Sequence, residues 1–371
     1  MVVRLALMFG ISQLAVSCPT HAQDQFDGAH VQRMPAKSDG GKIRVLLYYD
    51  MEGLSGQTDW RSIIWRFEEP YTLGRDLLVN DVNAVLDGLF SGGATEVDVV
   101  DAHGSGNVEP DLPPRRLDPR ARHILRDTPF EPYMDLVQAG AYDAVVAVGM
   151  HTKTGGKGFA AHTWTPGIGI SLNGRPVNET EFLAYSWGRV GVPVILVSGD
   201  DRLGKELDTM PWLEYVTVKE TASASSVKVR PVEAVHREMR EFAQRAIRSL
   251  PRMKAMVLPT PIQVAVSAFP PNSLESLKDV PGVDYADDRV TFTAKDLDAA
   301  YRGIEGLVGV ASSARLELLI GRLRERPDSA AIFRQFWEDL GERWLGYESD
   351  TWRPAKPTQP APSGRMYGGS E

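Results

Sequence analysis

Six side chains in the first half of the chain have the types and spacing that metal-assisted chemistry needs. Asp50 and Glu52 stand two apart in YYDMEGLSG, His103 closes VVDAH, His151 closes AVGMH, His162 follows in GFAAHTW, and Glu179 lies in NGRPVNETEF. Imidazole nitrogen and carboxylate oxygen are donors that divalent zinc takes, and a catalytic zinc keeps a position open for water. Two ions roughly 3.5–4 Å apart can share a carboxylate and a water, stabilising both the attacking and the leaving group of a hydrolysis. Asp50, Glu52, His103, His151 and Glu179 would furnish such a pair with mixed ligands, which leaves His162 for proton or nucleophile work. Taken singly, each acid has a plainer role. Acids and glycines after a strand form turns or cap the next helix, and Glu179 suits a first helical turn, where the dipole favours negative charge. Turn propensity does not explain histidines at two strand ends, because His is not a preferred turn residue.

The elements that must position these residues read as an α/β sheet. IRVLLYY is apolar after Arg44, as a strand buried on both faces would be. ATEVDVVDAHGSG and YDAVVAVGMHTKTGG each run from a strand into a glycine loop, and VPVILVSGDDR is a fourth apolar run that ends in acids. Between the first two strands, Leu73, Leu77, Leu78, Val82, Val85, Leu86, Leu89 and Phe90 fall at helical spacing, with Gly92 and Gly93 as the stop. A further helix runs through ETEFLAYSWGRV, after a hairpin turn at Asn173-Gly174. Strands alternating with helices predict a largely parallel sheet, and such sheets gather ligand groups at the carboxyl ends of their strands. Past residue 205 the pattern changes: SSVKVRP, PIQVAVSAF and RVTFTA read as strands, PVEAVHREMREFAQRAIRSL and KDLDAAYRGIEGLVGVA as helices. The expected fold is α/β, a mostly parallel sheet flanked by helices over residues 43–205, with a second, smaller α+β domain over 206–350.

At 371 residues, 43% hydrophobic and 24% charged, the chain has the composition of a soluble globular protein of one large or two ordinary domains. Its net charge of -8, without a Lys/Arg-rich run, excludes a nucleic-acid surface. MVVR precedes LALMFGISQLAVS, which has the length of a signal-peptide core and falls short of the roughly 20 residues that span a bilayer. Residues 1–22 are expected to be a signal peptide cleaved after Ala22, with export to a bacterial periplasm; alternatively, AVSC makes Cys18 a lipidated N-terminus. Cys18 is the only cysteine, so the mature protein has neither an internal disulfide nor thiolate chemistry. Residues 23–42 are expected to be a flexible leader and 351–371 a disordered Pro/Gly-rich tail. Among the other candidates, His236 reads as a solvated helix residue, His123 as surface, and His21 and His30 as leader. Asp200 and Asp201 read as a turn or cap, Asp101 as a hydrogen-bond partner orienting His103, and Trp164 and Trp187 as core or interface aromatics.

The succession DMEG, DAH, GMHTKTGGKGFAAHTW, LNGRPVNETE and VSGDDR closely resembles the DppA-type D-aminopeptidases, zinc metallopeptidase family M55. The similarity continues through VKETASASSVKVRP and FTAKDLDAAYRG, to about residue 315. The resemblance implies an aminopeptidase acting on short peptides with an N-terminal D-amino acid. It implies two zinc ions per chain on Asp50, Glu52, His103, His151 and Glu179, with Asp50 bridging both. It places on His162 the family's catalytic histidine, as nucleophile or as acid/base. It also implies a two-domain α/β protomer in a ring-like decamer whose sites face an inner chamber. The leader, the insertion WRSIIWRFEEPY and an extension to about residue 350 depart from the family pattern and bear on the chamber and the specificity pocket. Two other functions fit the same residues: an amidase or esterase on another small acyl substrate, because the site dictates hydrolysis but not the leaving group, or a non-catalytic exported binding protein. Against the latter, all six motif positions are intact.

Overall fold

The computed structural model describes residues 30–33, 41–107, 109–125, 131–270, 272–349 and 351. The expected signal peptide, with Cys18 and Ala22, and tail residues 352–371 lie outside the described residues. In chain order the elements are β1 (His30–Arg33), β2 (Arg44–Tyr49), α1 (Glu68–Gly92), β3 (Glu96–Asp101), β4 (Arg122–Ile124), β5 (Ala144–Met150), β6 (Ile168–Leu172) and β7 (Arg175–Pro176). There follow α2 (Glu179–Gly188), β8 (Val194–Asp200), α3 (Asp201–Glu206), β9 (Glu214–Ser223), β10 (Ser226–Val229), α4 (Val232–Arg248), β11 (Lys254–Val257) and β12 (Ile262–Ala268). The last are β13 (Asp284–Ala286), β14 (Arg289–Ala294), α5 (Leu297–Ser312), α6 (Ala314–Arg324) and α7 (Ser329–Glu348).

The main sheet has the order β10-β9-β8-β5-β2-β3-β4, all pairs parallel except the edge strand β10. From β2 the chain first builds outward through β3 and β4, then returns to the other side of β2 with β5. The order therefore reverses between β2 and β5, and the crevice at their carboxyl ends is where an open sheet binds ligands. Val45, Leu47 and Tyr49 face a core shared with α1 and α4, whereas Leu46 and Tyr48 face one shared with α2 and the second sheet. All five have no solvent exposure, which is worth on the order of 10 kcal/mol of transfer free energy in this one strand. The continuous apolar run thus reflects burial on both faces.

The second sheet is antiparallel, in the order β13-β14-β12-β6-β7. Asn173 and Gly174 both take positive φ, 48° and 82°, in the β6–β7 hairpin that delivers the chain to α2. The boundary expected between residues 205 and 206 does not separate two packing units. Strands β6 and β7 come from before it yet join the second sheet, and β9, β10 and α4 come from after it yet complete the first layer. The change of pattern past residue 205 falls instead at the partly exposed edge of the main sheet, where β9 and β10 carry Lys, Thr, Glu and Ser on their solvent face. Within the expected leader, His30–Arg33 pair antiparallel with Lys254–Val257 as β1.

Candidate active site

Each expected ligand leaves its element at the β2/β5 crevice. Asp50 follows β2 directly, and its amide donates to the Val148 carbonyl at 2.8 Å. Gly53 donates to the Gly149 carbonyl at 2.7 Å, so the DMEG segment lies along β5. The approach is close enough that a side chain on Gly149, whose φ is +81°, would start 2.2 Å from the Asp50 carbonyl oxygen. His103 and His151 follow β3 and β5. Glu179 opens α2 behind Asn178, whose side chain accepts from the Glu181 amide while Glu181 returns the bond, a reciprocal cap that fixes the helix start.

The side chains form two groups that share Asp50. His103 Nδ1 lies 3.1 Å from Asp50 Oδ1 and 3.3 Å from Glu52 Oε2. His151 Nε2 lies 3.4 Å from Asp50 Oδ2 and 3.5 Å from Glu179 Oε1. In each of these groups the ligand atoms lie within 4.8 Å of one another. The opposite ring nitrogens are engaged by carbonyls, which only accept: His103 Nε2–H donates to Ile63 O at 2.8 Å and His151 Nδ1–H to Thr152 O at 3.0 Å. Both rings are thereby held with their other nitrogen toward the carboxylates. Asp50 Oδ2 and His151 Nε2 are buried without a hydrogen-bond partner. Buried polar atoms of this kind are costly unless something satisfies them, and a divalent cation on this donor set does so; the residues fit the group.

His162 stacks on His151, ring centroids 4.1 Å apart and planes inclined by 14°. Its Nδ1–H donates to Ala160 O at 2.8 Å, which turns Nε2 into the site, 3.9 Å from Glu52 Oε1. A third compact donor set, Glu52, His151 and His162, includes it.

The electrostatics separate these roles. Burial raises the Glu52 carboxyl, and the Asp50 charge beside it adds to the effect. Burial also opposes ionisation of Asp50, but the groups around it, Glu52, His103 and the His151 imidazole, outweigh it and hold that carboxyl well below its usual range. Burial would depress His103 and His151, yet the facing carboxylates keep both imidazoles well above 6.5. His162 goes the other way, lowered by burial and then by His151. Without a cation, His103, His151 and Glu52 are thus all shifted toward their protonated forms, and His162 toward its neutral form.

Several residues that hold the site were missed in the sequence. Glu179 accepts from the Trp164 amide at 2.6 Å and from the Tyr133 hydroxyl at 2.8 Å. Lys219, with no exposure, donates to Glu52 O and to Gln57 Oε1, both at 2.6 Å, and lies 4.1 Å above the Phe159 ring. Burial pulls its ammonium down to about 7. It thus clamps the Glu52 backbone to the turn that carries His162. The partner expected for His103 is different: Asp101 instead accepts from Tyr49 Oη and the Gly104 amide, and Ile63, in the aromatic insertion, takes its place. His236 is not a solvated residue. Its Nε2 lies 2.8 Å from Asp81 Oδ1 and 3.2 Å from Ser55 Oγ, tying α4 to α1, because the α1/α4 packing closes over it. Asp200 caps α3 and Trp187 is core, as expected; Trp164 packs on Phe182 and Tyr301. His123 lies in β4, the edge strand beside β3.

Carboxylates and imidazoles gathered in a dry crevice at the carboxyl end of a mostly parallel sheet define a metal-dependent hydrolase. The family model for the D-aminopeptidases, peptidase family M55, matches residues 43–306, and the chain belongs to that family. A D-aminopeptidase of Bacillus subtilis (strain 168) is 28% identical over 267 residues, covering 71% of this chain and 95% of that one. Among solved structures, the Zn-dependent D-aminopeptidase DppA from Bacillus subtilis, described as a self-compartmentalizing protease, matches with a TM-score of 0.65 and 26% identity over 72% of this chain and 98% of that chain.

Proposed function

We propose that this chain is an exported, dinuclear zinc aminopeptidase that hydrolyses short peptides bearing an N-terminal D-amino acid and works as a closed homo-oligomer, the decameric ring that the resemblance implies. The observation that carries the dinuclear reading is Asp50, whose Oδ1 faces His103 and whose Oδ2 faces His151. Asp50, Glu52 and His103 would hold one ion, and Asp50, His151 and Glu179 the other. Zinc at such a site supplies Lewis acidity toward the scissile carbonyl and acidifies water. The protein supplies the rest. Burial favours the neutral form of His162, whose Nε2 is aimed into the site, so it takes the proton of the attacking water and returns it to the departing nitrogen. The Ala160 carbonyl keeps that nitrogen in register, and Lys219 keeps Glu52 in place. Zinc and self-association are supported by the relative of known structure, and export by the apolar run LALMFGISQLAVS with its small-residue cleavage site.

The test is a matched panel of D-Ala-D-Ala, D-Ala-Gly and L-Ala-L-Ala dipeptides and amides, with zinc measured on the same zinc-loaded sample. Chelator-sensitive cleavage confined to substrates with a D-residue at the N-terminus is the expected result. Two bound zincs without cleavage, or cleavage of L-substrates alone, would remove the D-aminopeptidase assignment and leave the metal site standing.

A further inference from the structure

We propose that α6 and α7 form a self-association surface in which the apolar stripe of α7 seats on α6 of a second copy of this chain. Both helices lie beyond residue 306, where the family match ends, and α6 is anchored to the body of the protein through Arg315, which donates to Asn272 Oδ1 and to the Pro166 carbonyl. Phe336, Trp337 and Leu340 recur at one-face spacing in α7 and are 55%, 66% and 41% exposed; Leu316 and Leu319 do the same in α6 at 57% and 55%. The rings of Phe336 and Trp337 meet each other edge to face, 5.6 Å apart. Helices draw most of their stability from packing an apolar face rather than from propensity, and α7 leaves that face in water. These five side chains expose on the order of 400 Å² of apolar surface. That approaches the apolar share of a stable interface, which buries roughly 800 Å² per partner with somewhat more than half of it non-polar.

Charge identifies the partner. Helix α6 carries three arginines against one glutamate, a net of +2, with Arg315 turned inward onto Asn272 and Arg322 and Arg324 exposed, and α7 carries two arginines against three glutamates and one aspartate, a net of -2. In a two-fold pair the same patch faces itself, so each basic α6 meets an acidic α7 of the other copy. Glu338 and Asp339 beside the stripe argue against an anionic lipid surface, which attracts basic helices. The inference rests on the homo-oligomer reading given above and names the surface that carries it.

The experiment is sedimentation velocity on the zinc-loaded chain over a dilution series, comparing the parent protein, F336E/W337E, R322E/R324E, E338R/D339R, the combined charge swap, and L318E. Leu318 is 54% exposed but off the stripe, so L318E controls for a surface charge, and circular dichroism with zinc content reports folding. The expected result is self-association weakened by roughly thirtyfold or more in F336E/W337E, the loss typical of an aromatic hot spot. Each charge reversal is expected to weaken it alone, the combined swap to restore it, and L318E to leave it unchanged. A parent oligomer whose mass and dissociation survive F336E/W337E overturns the α6–α7 surface while homo-oligomerisation stands. A monomeric parent at every concentration overturns both.

Discussion

At the scale of single residues, the two groups that share Asp50 make unequal demands on their members. Removing the Asp50 charge takes one ligand from each set, whereas removing His162 leaves both sets complete. Asp50→Asn is therefore expected to lose both zincs and activity by on the order of a thousandfold or more, the loss of several kcal/mol of electrostatic stabilisation. His162→Ala is expected to keep its metal and lose about 10²–10⁴ in kcat, the range of a general acid/base. Zinc content and turnover measured on the same preparations decide this. If His162→Ala loses zinc as Asp50→Asn does, the Glu52, His151 and His162 set is a metal site and His162 is a ligand. The histidines were legible because turns do not select that residue type, and the acids because they stand at the same strand ends or follow in the same run of motifs. Their partners were not, because Ile63 O and the Trp164 amide are backbone atoms, which any residue type carries. Lys219 was hidden for another reason: a lysine in a strand reads as solvent-facing, and the irregularity in the β8/β9 register at Asp200–Lys219 accompanies its burial.

At the scale of elements, the site depends on how closely the DMEG segment approaches β5. Gly149 and Gly93 both have positive φ, +81° and +114°, but only Gly149 has backbone within reach of a Cβ. Gly93→Ala should cost about 1–2 kcal/mol, the left-handed strain alone, and Gly149→Ala more than about 3 kcal/mol with loss of zinc, because Asp50 must move. Urea unfolding of the two variants checks the comparison; equal losses would mean that the approach to β5 is not tight. Strands β2, β3, β5 and β8 were readable because continuous apolar runs mean burial on both faces. Strand β9 escaped notice because YVTVKETAS mixes apolar with charged residues at the sheet's edge. The α2 start was readable from Asn178 onward, because capping chemistry is local.

At the scale of the whole molecule, the proposed metal site joins the two layers: Asp50, His103 and His151 come from the main sheet, and Glu179 arrives through the hairpin of the second. Zinc should therefore stabilise the entire fold rather than one loop, and the amount should depend on pH in a definite direction. In the metal-free protein, His103 and His151 are raised above 6.5, so their contribution is complete below that pH and is lost as pH climbs through the raised values. Asp50 is lowered below 3.8, so its contribution is present above that pH and is lost in stronger acid. Lys219, pulled down to about 7, favours the folded state increasingly above that pH. A cation must displace the protons on both imidazoles, so its affinity and its stabilisation grow with pH. The gap in melting temperature between zinc-loaded and chelated protein is thus expected to widen from about pH 6 to about pH 8, as the proton-held form weakens and the zinc-held form strengthens. Calorimetry of zinc binding in buffers of different ionisation enthalpy should record the accompanying proton release. A gap that stays constant across that range, with no protons released, would mean that zinc does not replace protons on His103 and His151, and the ligand assignment would fall with it.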